Sequence, residues 1–250
     1  MVLKEVEAFR PQFLAGKKVV VSGGTSGIGL ALAQGFAEAG AQVLATGSSQ
    51  SRLAAARAEA REGLAFDQLD VRDATAVSAF FSKFDRLDVL VNCQGVARPD
   101  AEWDEETFLD VIDINLSSAM RLSRAAFPLL KAVGGSIVNV ASMLSYLADE
   151  TVPAYTASKT GIVGLTRAQA HKYGRDGVRV NAIAPGYHRT DMTKGLWSVP
   201  ESEAKISERS ALKRWGTTED LVGPVLFLCS PAAAFVTGVT LPVDGGYHVG

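Results

Sequence analysis

The sequence predicts an α/β protein: a single Rossmann-like, doubly wound parallel sheet of about seven strands with helices on both faces. Three observations carry this. Short β-branched runs alternate with Ala-rich segments of helical length from Lys17 onward. The strand runs are continuously apolar rather than alternating, the pattern of strands covered on both faces. A glycine-rich turn, SGGTSGIG at 22–29, stands where the first strand gives way to the first helix.

Taken in order, KVVVSG (18–23) reads as a buried strand and 27–40 as a helix ended by Gly40. AQVLATG (41–47) is a second strand, followed by a helix over 48–63 closed by Gly63. Strands are expected at 64–71 and 87–92, with a helix at 74–84 between them. Two helical segments fill roughly 104–132 before the strand GSIVNVAS at 135–142. A helix from Tyr155 to Gly174, a strand at 178–185, a helix at 217–230 and the segment VTLPVDGG (239–246) complete the series. There is no repeat, low-complexity tract or linker, so 14–250 reads as one dinucleotide-binding and catalytic domain after an extension over 1–13. The irregular stretch at about 187–216 is expected to be a lid over the sheet edge, with Met192 and Trp197 as its apolar contacts.

A chain of 250 residues can bury about 70–75% of its unfolded surface, so a core needs no covalent staples. Twenty-five Lys and Arg against 27 Asp and Glu leave no basic footprint for nucleic acid or a membrane surface. Cys93 and Cys229 are too few for a disulfide scaffold and point to a reducing compartment. His171, His188 and His248 have no metal-ligand spacing, and no metal site is expected. The first thirteen residues interrupt their apolar positions with Lys4, Glu5, Glu7 and Arg10, unlike a secretory signal, and no window approaches a membrane span. A cytoplasmic protein is expected.

In the glycine turn, Gly23 allows the tight turn, Gly27 lets backbone approach a pyrophosphate, and Gly29 allows helix–strand packing. The helix that follows offers unsatisfied N–H groups and a positive dipole end. The spacing is GxxxGxG rather than GxGxxG, and a purely structural turn is the competing explanation. At the end of the second strand, an acid selects the 2′-OH of NAD and a basic group admits the 2′-phosphate of NADP. Here Gly47, Ser48 and Ser49 carry no acid and Arg52 follows, which favours NADP(H) slightly over NAD(H). Arg52 is equally explained as a solvated helix residue. Asp70 is placed to accept from an adenine amino group or, alternatively, to cap a helix.

Tyr155 and Lys159 are four apart at a helix start and so share a face. A phenol with a reference pKa near ~10 is a poor base, and a neighbouring ammonium is expected to lower that value. Ser142 ends a strand at its carboxyl edge, where ligands bind in open α/β sheets. With SGGTSGIG, LDV (69–71), VNCQG (91–95), the Asn of DINL (113–116), the Ser of VASM, YTASK (155–159) and APGYHRT (184–190) all in order, the chain resembles the short-chain dehydrogenase/reductase family from about Leu14 to Gly246.

That resemblance implies that Tyr155 is the general acid/base and that Lys159 binds the nicotinamide ribose. It implies that Ser142 positions the substrate oxygen and that Asn115 holds a water linking Lys159 to solvent. Thr25, Ser26, Ile28, Val71, Asn92 and Gly95 would join the glycines around the cofactor, and Pro185, Gly186, Thr190 and the backbone of His188 would meet the nicotinamide end. The chain departs from the family's usual Asn-Asn-Ala-Gly with Asn92-Cys93-Gln94-Gly95, and carries His188 where Val or Ile is common. SMLSY (142–146), VPAYTASK (152–159) and RWGTTEDLVGPVLFL (214–228) look like the branch holding 2-deoxy-gluconate 3-dehydrogenases and gluconate dehydrogenases. The implied activity is hydride transfer between NAD(P) and a secondary alcohol or ketone of a sugar or sugar acid. Arg98, Tyr146, His188, Arg189 and Trp197 are candidates for the substrate mouth.

A dinucleotide-binding regulator without turnover and a ketoreductase for non-sugar carbonyls remain alternatives; a hydrolase is disfavoured because Ser142 lacks a GxSxG elbow. The family's helix pairing across two-fold axes implies a homotetramer. Ser117, Ser118, Ala119, Ala125, Ala126, Ala168 and Ala170 are the small residues expected to allow close approach between chains, packing on their own sheet being the other explanation.

Overall fold

The computed structural model describes residues 10–250, so most of the expected extension lies outside the described residues. Seven parallel strands form one sheet in the order β3-β2-β1-β4-β5-β6-β7. They are β1 (Lys18–Ser22), β2 (Gln42–Gly47), β3 (Leu64–Gln68), β4 (Val89–Asn92), β5 (Ser136–Val140), β6 (Arg179–Pro185) and β7 (Thr240–Val243). The helices are α1 (Gly27–Glu38), α2 (Gln50–Ala58), α3 (Ala74–Phe81), α4 (Glu105–Ile112), α5 (Ser118–Lys131), α6 (Pro153–Tyr173), α7 (Lys194–Trp197), α8 (Pro200–Arg209) and α9 (Val222–Cys229).

Alternate residues of each central strand serve opposite faces. Val19 and Val21 pack with Leu32, Phe36 and Leu228 from α1 and α9. Val20 packs with Phe80, Leu122 and Leu130 from α3 and α5 on the other side. After β3 the chain returns to the centre and adds β4 beside β1, so strand order reverses there. The pairings Ser22 with Asn92 and Asn92 with Asn139 bring the carboxyl ends of β1, β4 and β5 level. Such a switch point opens a crevice at the strand ends.

Four expected elements shift. The strand expected to reach residue 71 stops at Gln68, because Asp70 turns out to meet the Arg72 guanidinium at 2.7 Å. The helix expected from Tyr155 begins at Pro153, whose ring presets the first helical φ. The helix expected from Thr217 opens as a 3-10 turn over Thr218–Leu221. Between α4 and α5 the backbone widens into a π turn at Asp113–Ser117, which sequence periodicity cannot register.

Ser118, Ala119, Ala126 and Ala170 are buried within the subunit, so they pack on their own sheet rather than against another chain. Ala168 is exposed, and Ser117 and Ala125 are half-buried. The segment 187–216 folds as α7 and α8, with Ile206 and Trp215 buried and the Trp215 indole donating to the Glu203 carbonyl at 3.1 Å. Among the described residues no helix is long and apolar enough to cross a membrane, and no cluster of His, Cys, Asp or Glu has metal-binding form.

Asp88 ties the entrances of β1 and β4. Its carboxylate accepts from the Lys17 ammonium at 3.0 Å, the Lys18 N–H at 3.0 Å and the Arg86 guanidinium at 2.8 and 2.9 Å. Burial alone would raise its pKa, but Arg86, the Lys18 N–H and Lys17 outweigh it and hold the group at about 2, below the ordinary 3.8. A depressed carboxylate contributes stability above its unfolded pKa and loses it as pH falls through the folded one. Asp88→Asn is expected to cost about 1–2 kcal/mol at neutral pH, discounted for the half-exposed cations. In denaturant titrations that gap should close as pH falls from about 4 towards 2.

Candidate cofactor and active site

The turn after β1 has no room for side chains at three of its glycines, Gly23, Gly24 and Gly29. Gly23 has φ +75°, and a Cβ there would lie 2.6 Å from the Gln94 nitrogen. A Cβ at Gly29 would lie 2.1 Å from the Gly23 carbonyl oxygen, so Gly29 makes room for the turn itself rather than for a strand. Gly27, at φ +51°, faces only the Thr190 methyl, 3.6 Å from where its Cβ would be. Ser26 occupies the N-cap of α1 without a side-chain hydrogen bond, and the first turn holds no acid. The helix end is therefore free to take an anion, and the turn, with Thr25 and Ile28, fits a dinucleotide's pyrophosphate.

At the end of β2, a Cβ on Gly47 would lie 2.4 Å from Thr25 Oγ1. The Ser48 carbonyl accepts from the Gln68 amide at 2.9 Å, and Ser49 caps α2 through the Arg52 N–H at 3.4 Å. Arg52 is exposed on the first turn of α2. Asp70 does not cap α3. Asp73 does, accepting from the Thr75 and Ala76 N–H groups at 2.8 and 3.0 Å. The hydrogen bond from Arg72 holds Asp70 below its ordinary pKa. Val71 is buried beside it, its carbonyl accepting from Arg121 at 2.7 Å.

Ser142, Tyr155, Lys159 and Asn115 come from three separate elements: the end of β5, the first and second turns of α6, and the π turn. A Cβ on Gly95 would lie 3.4 Å from Lys159 Nζ and 3.5 Å from Asn115 Oδ1, so the last two converge on the loop after β4. Asn115 accepts from the Val96 N–H at 2.8 Å and donates to the Val96 carbonyl at 2.9 Å and to Ser158 Oγ at 3.1 Å. Lys159, buried, donates to the Val140 carbonyl at 2.7 Å, and its ammonium lies 5.5 Å from the Tyr155 ring centre.

Burial pushes the Tyr155 phenol up, the Ser142 hydroxyl draws it partly back, and Cys93 and Glu102 raise it further. The Lys159 ammonium is bonded to Val140, and burial brings its own pKa down to about 8. Burial likewise pushes the Cys93 thiol up to about 11, which leaves it unreactive at neutral pH.

Other candidates sit elsewhere than expected. The Asn92 side chain points into the sheet, donating to Asn139 at 2.8 Å and Ser123 at 3.1 Å, so only its backbone is left to face the crevice. The buried His188 ring packs on Gly216, where a Cβ would lie 2.5 Å from it, and its Nδ1–H donates to the Gly186 carbonyl at 3.1 Å. Burial lowers its pKa, so this ring is neutral packing rather than a cation at the mouth. Arg98 is paired with Asp110, and Arg189 with Glu203 at 3.0 Å. The Trp197 indole anchors α7 by donating to the Thr190 carbonyl at 2.9 Å, while Met192 is exposed. Beyond Pro185, Gly186 is pressed against Asp244, whose Cβ is 2.5 Å from where one on Gly186 would be. Tyr146 is 46% exposed and packs against His248 in a tilted arrangement, ring centres 5.5 Å apart.

Three polar residues were not singled out in the sequence. Glu102 is fully buried and accepts from the N–H groups of Arg98 and Tyr155, both at 2.8 Å. Ser158 donates to the Tyr155 carbonyl at 2.7 Å, and Ser145 to the Lys159 carbonyl at 2.7 Å. For Ser158 the signal was its place inside YTASK; Glu102 sits in the acidic run DAEWDEE, where nothing sets it apart from a solvated charge.

A family model described as enoyl-(acyl carrier protein) reductase matches residues 23–248. The chain is 37% identical over 244 residues to 2-dehydro-3-deoxy-D-gluconate 5-dehydrogenase of Escherichia coli (strain K12), covering 94% of this chain and 96% of that one. It is 36% identical over 247 residues to gluconate 5-dehydrogenase of Gluconobacter oxydans (strain 621H), with 94% and 96% covered. The crystal structure of a gluconate 5-dehydrogenase from Burkholderia cenocepacia J2315, in complex with NADP and tartrate, superposes with a TM-score of 0.88 at 31% identity, covering 94% and 96% of the two chains.

Proposed function

The chain belongs to the short-chain dehydrogenase/reductase family and is an NAD(P)-dependent dehydrogenase, and from that membership we propose that it transfers a hydride between the cofactor and a secondary alcohol or ketone of a sugar acid. The observation that carries the reading is the convergence of Lys159 and Asn115 at Gly95, with Ser142 at the end of β5 and Tyr155 one helical turn before Lys159. A module that only bound a dinucleotide would have no use for a proton relay at the strand ends.

Gly23 to Gly29 would hold the pyrophosphate, Gly47, Ser48, Ser49 and Arg52 the adenosine ribose, and Lys159 the nicotinamide ribose. The bound nicotinamide supplies or accepts the hydride. Ser142 and Tyr155 address the same substrate oxygen, Ser142 by orienting it and Tyr155 by giving it a proton on reduction or taking one on oxidation. Burial keeps the phenol protonated at neutral pH, so the resting protein is poised as a donor. Asn115 holds Ser158, and Ser158 holds the Tyr155 carbonyl, which fixes the phenol's backbone.

For the substrate, the names of the similar proteins support a sugar acid. Tyr146, exposed at the end of the Ser142 turn, is the residue best placed to meet it. Arg98 and Arg189 would each have to release an acid first. For the cofactor, the absence of an acid at 47–49 and the exposure of Arg52 support NADP(H), as does the bound NADP of a similar structure. For assembly, the exposed Leu109 and Met120 on α4 and α5 support a second copy on that face, and the tetramer rests on the family's pairing across two-fold axes.

Three measurements test these readings. A panel of sugar acids, sugars and polyols, followed by reduced-cofactor absorbance with NAD and with NADP, is expected to give turnover on a sugar acid. NAD binding more than ~100-fold tighter than NADP, roughly 2.7 kcal/mol, would remove Arg52 as a phosphate partner. Tyr155→Phe deletes one hydroxyl and is expected to fold normally while turnover drops by ~10²–10⁴; near-normal turnover would end the assignment. Light scattering after size exclusion is expected to give the mass of four chains, and a mass of one 26.4 kDa chain would refute the tetramer.

A further inference from the structure

We propose that Glu102 is a positioning residue for Tyr155: its buried carboxylate clamps the loop after β4 to the first turn of α6 and sets a negative charge on the N–H of the residue that carries the phenol. The inference rests on the reading of Tyr155 as proton donor and acceptor. A carboxylate is seldom fully buried unless paired, because leaving water costs several kcal/mol. Glu102 is fully buried, yet the partners its oxygens find are two backbone N–H groups rather than a cation.

The choice of partners explains it. Helix α6 begins without local capping: Val152 at the N-cap has no side-chain acceptor, Pro153 has no N–H, and the first turn contains no acid. The third helical residue, Tyr155, therefore needs an acceptor from elsewhere, and Glu102 Oε2 supplies it at 2.8 Å. The positive end of a helix favours a negative charge at that place, and a charged acceptor strengthens the bond. Its other oxygen takes the Arg98 N–H and so stitches the 98–102 loop to the same turn. With Ser158 on its carbonyl, Tyr155 is gripped at both ends of its own peptide unit.

The second consequence is electrostatic. The groups facing the phenol are the Ser142 hydroxyl, the Cys93 thiol, the Lys159 ammonium and, through the first turn of α6, Glu102. Burial is the largest influence on the phenol and Glu102 adds to it, both favouring the protonated form. A neutral residue capping the same N–H would hold the backbone but would not add to the effect of burial on the phenol.

The test needs neither substrate nor cofactor. The difference in tyrosinate absorbance between the protein and its Tyr155→Phe variant, followed against pH, isolates one phenol. Repeated in a Glu102→Gln background, its midpoint is expected to fall by about 0.5–1 pH unit. In Glu102→Asp, which keeps the charge on a shorter arm, the midpoint should stay at the wild-type position while hydrogen exchange at the Tyr155 amide speeds up by ~10-fold or more. An unchanged midpoint in Glu102→Gln would reduce Glu102 to a structural cap and overturn the proposal. If Glu102→Gln does not fold, Glu102→Asp decides: a lowered midpoint, or wild-type exchange at Tyr155, overturns it. Full turnover in Tyr155→Phe would instead sink the catalytic reading while leaving these titrations intact.

Discussion

A chain of buried amides holds the two halves of this molecule in register. Asn92 at the end of β4 donates to Asn139 of β5 at 2.8 Å, and Asn139 donates in turn to Thr166 of α6 at 2.9 Å. Inside a sheet, away from water, such bonds gain strength and tolerate no slippage. Because the amides lie directly opposite each other in the β4–β5 pairing, they fix the level at which those strands end. They also fix how α6 lies across the sheet. The glycine turn after β1 and the Tyr155–Lys159 face of α6 depend on that alignment for their separation.

The residues around Tyr155 divide into those that face the crevice and those that hold its backbone. Ser142, Tyr155 and Lys159 present their side chains towards the crevice end of the sheet, whereas Asn115 and Ser158 spend hydrogen bonds on the loop after β4 and on α6. The π turn is what lets Asn115 reach that loop. One extra residue in the helical circuit swings its amide onto Val96, where it makes a pair of bonds like those between strands. Burial then acts on both titrating groups in the direction of neutrality, raising the phenol and lowering the ammonium.

The segment at 187–216 is folded rather than loose. Thr193 donates to the His188 carbonyl at 2.6 Å, Trp197 to the Thr190 carbonyl, and Trp215 to the Glu203 carbonyl. The buried His188 ring nested on Gly216 joins its two ends, which explains a histidine where an aliphatic residue is usual: a glycine opposite leaves space for a flat ring. Each departure in this segment is matched by a partner within it.

What the sequence determined by itself is what local pattern encodes. Continuous apolar strands, Ala-rich helices and their order are enough for a doubly wound sheet, and the glycine turn falls where a helix must start. Ser142, Tyr155 and Lys159 were legible because each lies inside a short run with its own spacing. Only the tertiary structure decided what depends on partners far apart in the chain. Arg98, Arg189 and His188 looked like cations for a substrate until Asp110, Glu203 and Gly216 were found against them. Asn92 proved to serve the sheet interior, and Glu102, one acid among several, became the cap of a helix that starts fifty-one residues later at Pro153. Charge and burial are properties of the neighbourhood, and a neighbourhood exists only once the chain has folded.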